Sequence, residues 1–206
     1  MKNLLKSVAA AAALVTISAP AYAIPFEFNT VLLGSNEFPP VATPATGSAK
    51  IIFDPAAHTM SVHVEFTGLI GNTTASHIHC CLPAPFATGV NAGVATTTPT
   101  FAGFPLGVTS GVYDNTLDMT LATSYNPSFV TAHGGLLDAT HVVAQVESDL
   151  FNGILAGKSY LNVHSSFATG GEVRGFLVFV PEPATLAVVG FGLLGLRFGR
   201  RKPKQN

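Results

Sequence analysis

Apolar and polar side chains alternate with a period of two through two successive runs near the start of the chain, the pattern of strands that bury one face. Thr46–Asp54 reads as a strand closed by Asp54-Pro55. Thr59–Thr67 reads as the next, with Met60, Val62, Val64 and Phe66 facing in and Ser61, His63 and Glu65 facing water. On this pattern His63 is a solvated face residue. Residues 68–72 then turn the chain into a strand through Ala75-Ser76-His77-Ile78-His79. Residues 115–122 give another, with Leu117, Met119 and Leu121 on one face, and residues 159–164 and 172–179 form a closing hairpin. One short helix is predicted over 138–155, from Val142, Val143, Val146, Leu150 and Ile154 at helical spacing, with Asp138 or Thr140 as its cap. Residues 82–112 break the pattern, being rich in Pro, Gly, Ala, Thr and Phe and free of charge, and they read as one long loop with 101–105 packed as a lid or edge. The elements predict an all-β antiparallel sandwich.

Charge changes the picture at the two ends. Of ten basic residues, Lys2 and Lys6 stand at the start and Arg197, Arg200, Arg201, Lys202 and Lys204 at the end, leaving Lys50, Lys158 and Arg174 between them against nearly all of the eleven acidic ones. A basic surface for nucleic acid is therefore excluded. Lys2 and Lys6 precede an apolar run over 8–19 and then Ala21-Tyr22-Ala23, so residues 1–23 read as a secretory signal cut by signal peptidase after Ala23. At the other end Pro181-Glu182-Pro183 introduces an apolar run over 186–198 and a basic cluster. That run is shorter than the ~20 residues that span a bilayer comfortably, although a single-span anchor stays open as an alternative.

This order of parts over 180–206 resembles the PEP-CTERM sorting signal. The resemblance implies a Gram-negative bacterial protein, anchored transiently by a hydrophobic sorting helix and processed by an exosortase-type enzyme, then placed at the cell surface or in an extracellular polysaccharide matrix. About 155 residues remain between the signals, enough for one domain over 24–179.

Candidate chemistry concentrates in one strand. His77, His79 and Cys81 share one face, and two imidazoles at this spacing are a ready pair of ligands for copper or zinc. The plainer alternative is two histidines bonded to backbone and water. Cys80 and Cys81 are the only cysteines, and three arrangements are open: a vicinal disulfide, a link between chains, or Cys81 as a third ligand with Cys80 buried. Redox work by the pair is a weaker possibility. In the closing hairpin Tyr160, Asn162 and His164 share a face, and the turn brings His164 near Glu172 and Arg174. The latter two are read as a structural ion pair.

Four separated stretches complete the reading: Leu33-Gly34-Ser35-Asn36-Glu37-Phe38-Pro39-Pro40-Val41 with Ala45-Thr46-Gly47, Ala75-Ser76-His77-Ile78-His79, Ala156-Gly157-Lys158-Ser159-Tyr160-Leu161-Asn162-Val163-His164, and Gly171-Glu172-Val173-Arg174-Gly175. In this order they resemble the CHRD domain, named after chordin. The resemblance implies an immunoglobulin-like sandwich with a distant likeness to copper/zinc superoxide dismutase, and a binding or scaffolding role. Under that likeness His77 and His79 correspond to two copper ligands, His164 to a third, and His133 or His141 to a fourth. The bridging and zinc ligands of a dismutase are missing from 82–112, which leaves at most a mononuclear site. The expectation is an exported, non-enzymatic binding or structural module for exopolysaccharide or another envelope component. The alternative is a mononuclear copper or zinc protein at His77, His79 and His164, with Cys81 as a further donor.

Overall fold

The computed structural model describes residues 25–181. The secretory signal with Ala23, and the sorting segment with Glu182, Pro183 and its hydrophobic helix, lie outside the described residues. Among those residues no helix is long and apolar enough to cross a membrane.

Eight strands are present: β1 (Phe26–Leu33), β2 (Thr46–Asp54), β3 (Thr59–Thr67), β4 (Thr73–His79), β5 (Gly111–Asp118), β6 (Tyr160–Ser165), β7 (Val173–Phe176) and β8 (Val178–Val180). They form one antiparallel sheet in the order β4-β6-β7-β1-β2-β3-β5, with β8 also paired to β1, and the sheet curls on itself into an all-β sandwich. Its core is the alternation read from the sequence. Met60, Val62, Val64 and Phe66 of β3 are buried with Phe28 and Leu32 of β1 and Ile51 and Phe53 of β2. Ile78, Leu161, Val163 and Val173 close on the same core from β4, β6 and β7.

The closing strand is broken at Leu177, which is fully buried and whose N–H bonds to the Ser159 carbonyl. Before it β7 pairs with β6, and after it β8 pairs with β1. The strand expected over 115–122 begins earlier and ends at Asp118, because the Asp118 carboxylate accepts from both the backbone and the hydroxyl of Thr120 and makes a turn there.

The single helix expected over 138–155 starts later, as α2 (Ala144–Leu155), with Val143 at its N-cap. Asp138 and Thr140 do not cap it. The Asp138 carboxylate instead accepts the backbone N–H groups of Thr140 and His141, an aspartate turn that competes with helix. A second helix, α1 (Pro127–Ala132), precedes it, started by an Asn126 cap and by proline in the first turn.

The uncharged loop is a covering element. Its backbone bonds along the free edge of β4, through Cys80 N–H to Gly93, Ala95 N–H to Ile78 and Phe101 N–H to Ser76, which removes an exposed sheet edge. Phe101 and Phe104 go further inward than a lid. They are buried, and stack on Tyr113 and Phe66 at 5.7 and 5.6 Å between ring centroids.

Cys80 and Cys81 form the vicinal disulfide, with Cys80 buried and Cys81 exposed. Gly153 of α2 leaves room for both sulfur atoms, which any β-carbon at that position would strike. Gly153→Ala should therefore lower stability by about 1–3 kcal/mol in spite of alanine's better helix propensity. Thermal unfolding followed by circular dichroism checks this, and an unchanged or raised melting temperature would show that α2 moves aside freely.

Candidate metal centre

β6 is buried on both faces along its whole length. Leu161 and Val163 point into the sandwich, while Tyr160, Asn162 and His164 point outward beneath the covering loops. On the neighbouring β4 the same alternation turns Ile78 to the core and His77 and His79 outward. In the antiparallel register His77 stands opposite Asn162, His79 opposite Tyr160 and Ala75 opposite His164. His164 is thus one diagonal step from His77, within the reach of two imidazoles. The three histidines meet, each less than one-tenth exposed, and one ring nitrogen from each lies within 4.8 Å of the other two.

Their orientation is fixed by backbone carbonyls. His77 donates from Nε2 to the Pro99 carbonyl (2.6 Å), His79 from Nδ1 to Ala92 (2.8 Å) and His164 from Nδ1 to Thr169 (2.9 Å). A carbonyl can only accept, so these nitrogens carry the ring hydrogens, and the opposite nitrogen of each neutral ring is a bare lone pair. The bare set is His77 Nδ1, His79 Nε2 and His164 Nε2. His77 Nδ1 and His164 Nε2 face each other at 3.3 Å, and His79 Nε2 is buried without a hydrogen-bond partner. Burial pushes the pKa of His77 and of His79 down to about 4 and lowers that of His164, so all three rings are neutral at pH 7.

Metal–nitrogen bonds of 2.0–2.1 Å in a tetrahedral arrangement place ligand nitrogens about 3.3 Å apart, the separation of the His77–His164 pair. The donor set fits a small cation. Three carbonyls hold the far nitrogens, and outer partners of this kind are what orient a histidine toward a metal.

Other residues singled out in the sequence fall elsewhere. The Cys81 sulfur is bonded to Cys80 and is no thiolate donor in this state. His133 is paired with Asp149 and His141 with Asp138, each at 2.9 Å, and neither joins the cluster. His63 lies on the outer sheet face, paired with Asp114 at 2.7 Å.

Arg174 is paired with Glu37 at 2.8 Å rather than with Glu172. Although two residues apart, the side chains serve different partners. Glu172 precedes β7 and accepts from the Ser165 and Thr43 hydroxyls and from the N–H groups of Ile70 and Gly71. Burial alone would raise its pKa, but these hydrogen bonds outweigh burial and lower it. Arg174, fully buried, lies over the Tyr160 ring at 3.9 Å, and Tyr160 in turn stacks on His79 at 4.7 Å.

Sequence reasoning put Tyr160 on the face of His164 without giving it a role, and missed Glu37 and Asn91, which bonds the Arg174 guanidinium. The available signal was a lone glutamate in Asn36-Glu37-Phe38-Pro39-Pro40, an apolar setting that a carboxylate enters only with a partner.

No curated protein and no solved structure matches the chain. Residues 179–202 match the PEP-CTERM protein-sorting motif, the mark of an exported protein that is transiently anchored in the membrane and processed by an exosortase-type system. The family model for the CHRD domain matches residues 28–177, which take in every strand from β2 to β7 and all three converging histidines, and the chain accordingly belongs to the CHRD domain family.

Proposed function

We propose that the folded domain binds one copper or zinc ion through His77, His79 and His164. The observation that carries this reading is the three bare nitrogens converging in a buried space with no proton to separate them. Left alone, facing lone pairs repel, and a bound cation turns that repulsion into attraction. His77 and His79 supply adjacent donors from one strand, His164 supplies the third across the ladder, and the Ala92, Pro99 and Thr169 carbonyls hold the rings. No reaction is assigned to the site.

The proposed organisation is a signal over 1–23, the domain over 24–179 and a sorting segment over 180–206, in a protein of the surface or matrix of a Gram-negative bacterium. The sorting motif favours a second, compatible reading, in which the mature domain is a binding module for exopolysaccharide or another envelope component. Co-sedimentation of the mature protein with the producer's polysaccharide fraction tests that reading, and a protein wholly in the soluble fraction counts against it.

The metal reading is tested by elemental analysis of protein purified after export. About one equivalent of copper or zinc is expected in the wild type, and loss of at least about tenfold in affinity in His77→Ala and His164→Ala. A folded wild type that takes up neither ion at micromolar concentration would make the three histidines architecture.

A further inference from the structure

We infer that this site is selective for monovalent copper over zinc and over divalent copper. The inference rests on the metal reading above and deepens it, and three features of the surroundings carry it.

The first is charge. All three donors are neutral, and among the described residues no carboxylate or thiolate joins them. A dication held by these three neutral donors alone would keep its whole charge, whereas zinc sites built with thiolate or carboxylate ligands offset it with an anion. The cost of burying an ion rises with the square of its charge, so an uncompensated dication pays about four times the desolvation of a monocation.

The second is the Arg174 guanidinium. It reaches the site through Tyr160, 3.9 Å from one ring that is itself stacked on His79 at 4.7 Å. Glu37 is bound to Arg174 at 2.8 Å and offsets part of that charge, while the guanidinium stays one aromatic ring away from His79. A buried positive charge so placed opposes a bound metal ion in proportion to the ion's charge, twice as strongly for a dication as for a monocation.

The third is coordination number. Three nitrogens satisfy a trigonal copper(I) ion. Zinc completes four, either with a fourth protein donor or with water in an open position. Here the three rings are each less than one-tenth exposed, and among the described residues no fourth His, Cys, Asp or Glu joins them, so the site presents three imidazole nitrogens and no further imidazole or anionic ligand.

The test is competition on the exported, purified wild-type protein. Copper(I) is supplied anaerobically with ascorbate against bicinchoninate, and zinc(II) and copper(II) against chromophoric chelators of known affinity. Thiol titration confirms that the Cys80–Cys81 disulfide stays closed, since reduced thiols would bind copper(I) themselves. One copper(I) per chain is expected, held at least about a hundredfold more tightly than zinc(II) or copper(II), with the copper(I) affinity lost in His77→Ala and in the milder His164→Gln. Zinc(II) or copper(II) bound at the same histidines as tightly as copper(I) would overturn the selectivity and leave the site standing. Failure of a folded wild type to bind any of the three would overturn the site itself and the selectivity with it. Copper(I) binding that survives both histidine substitutions would overturn the location.

Discussion

Replacing Glu37 with alanine should cost the fold about 3–5 kcal/mol, because it strands the Arg174 guanidinium in the interior with its principal counter-charge removed. Both side chains are only 2 % exposed, and Arg174 retains only the Asn91 side chain, the Val90 carbonyl and the Tyr160 ring. The pair is not a net source of stability. Burial pushes the Glu37 carboxyl up in spite of the guanidinium beside it, so desolvation exceeds attraction. Removing both charges at once, as in Glu37→Leu with Arg174→Met, should therefore recover most of the loss and end within about 1 kcal/mol of the wild type. Urea unfolding of the two single variants and the double variant measures the coupling. A Glu37→Ala protein within 1 kcal/mol of wild type would mean that water reaches Arg174. Because Arg174 stacks on Tyr160 and Tyr160 on His79, the same variant should also loosen the histidine cluster, seen as a weaker hold on metal.

Acid should unfold the metal-free domain over two successive ranges. The folded pKa of His77 and of His79 lies at about 4, below the unfolded value of 6.5, because their burial disfavours the charged ring. Between these values the unfolded chain takes up protons that the folded chain refuses, so stability is complete above pH 6.5 and falls as pH drops toward 4. Each histidine contributes up to about 3 kcal/mol to that fall, an upper bound for a group that retains some contact with water. Glu172 acts over a lower range. Its folded pKa is lowered from 4.5, so the stability it lends is present above that value and is lost as pH falls further. Urea midpoints at pH 7.5, 6, 5 and 4.5 should decline steadily, and a His77→Phe, His79→Phe double variant should flatten the decline. A wild-type midpoint constant from pH 7.5 to 5 would show that the rings are protonated as readily folded as unfolded. Bound metal should shift the whole decline to lower pH, since protons then compete with an ion.

Much of the sandwich was legible because alternation with period two reports burial directly. Thr46–Asp54 and Thr59–Thr67 are strands as read, down to the inward Met60, Val62, Val64 and Phe66. The first strand, Phe26–Leu33, was not read, although Phe28 and Leu32 are buried at the required spacing. It follows closely on the apolar stretch over 8–24, and its own apolar residues blend with that stretch. The boundaries at residues 138 and 118 were misplaced for a local reason. The Asp138 carboxylate accepts the backbone N–H groups two and three residues on and that of Asp118 the N–H two residues on, and a propensity window averages over such turns.

The sequence by itself determined the β class, the C-terminal sorting motif and the placing of His77 and His79 on one strand face, all consequences of local spacing. It could not decide which side of the sheet that face would be, nor that an uncharged loop would cover it and supply the Ala92 and Pro99 carbonyls. Those depend on contacts between residues far apart in the chain. Only the tertiary structure brought His164 to His77 across the β4–β6 ladder and gave Arg174 to Glu37, 137 positions away, instead of to Glu172 two positions away. Proximity in sequence offered Arg174 a partner. Burial chose another, because a guanidinium taken out of water is stable only where a carboxylate is taken out with it.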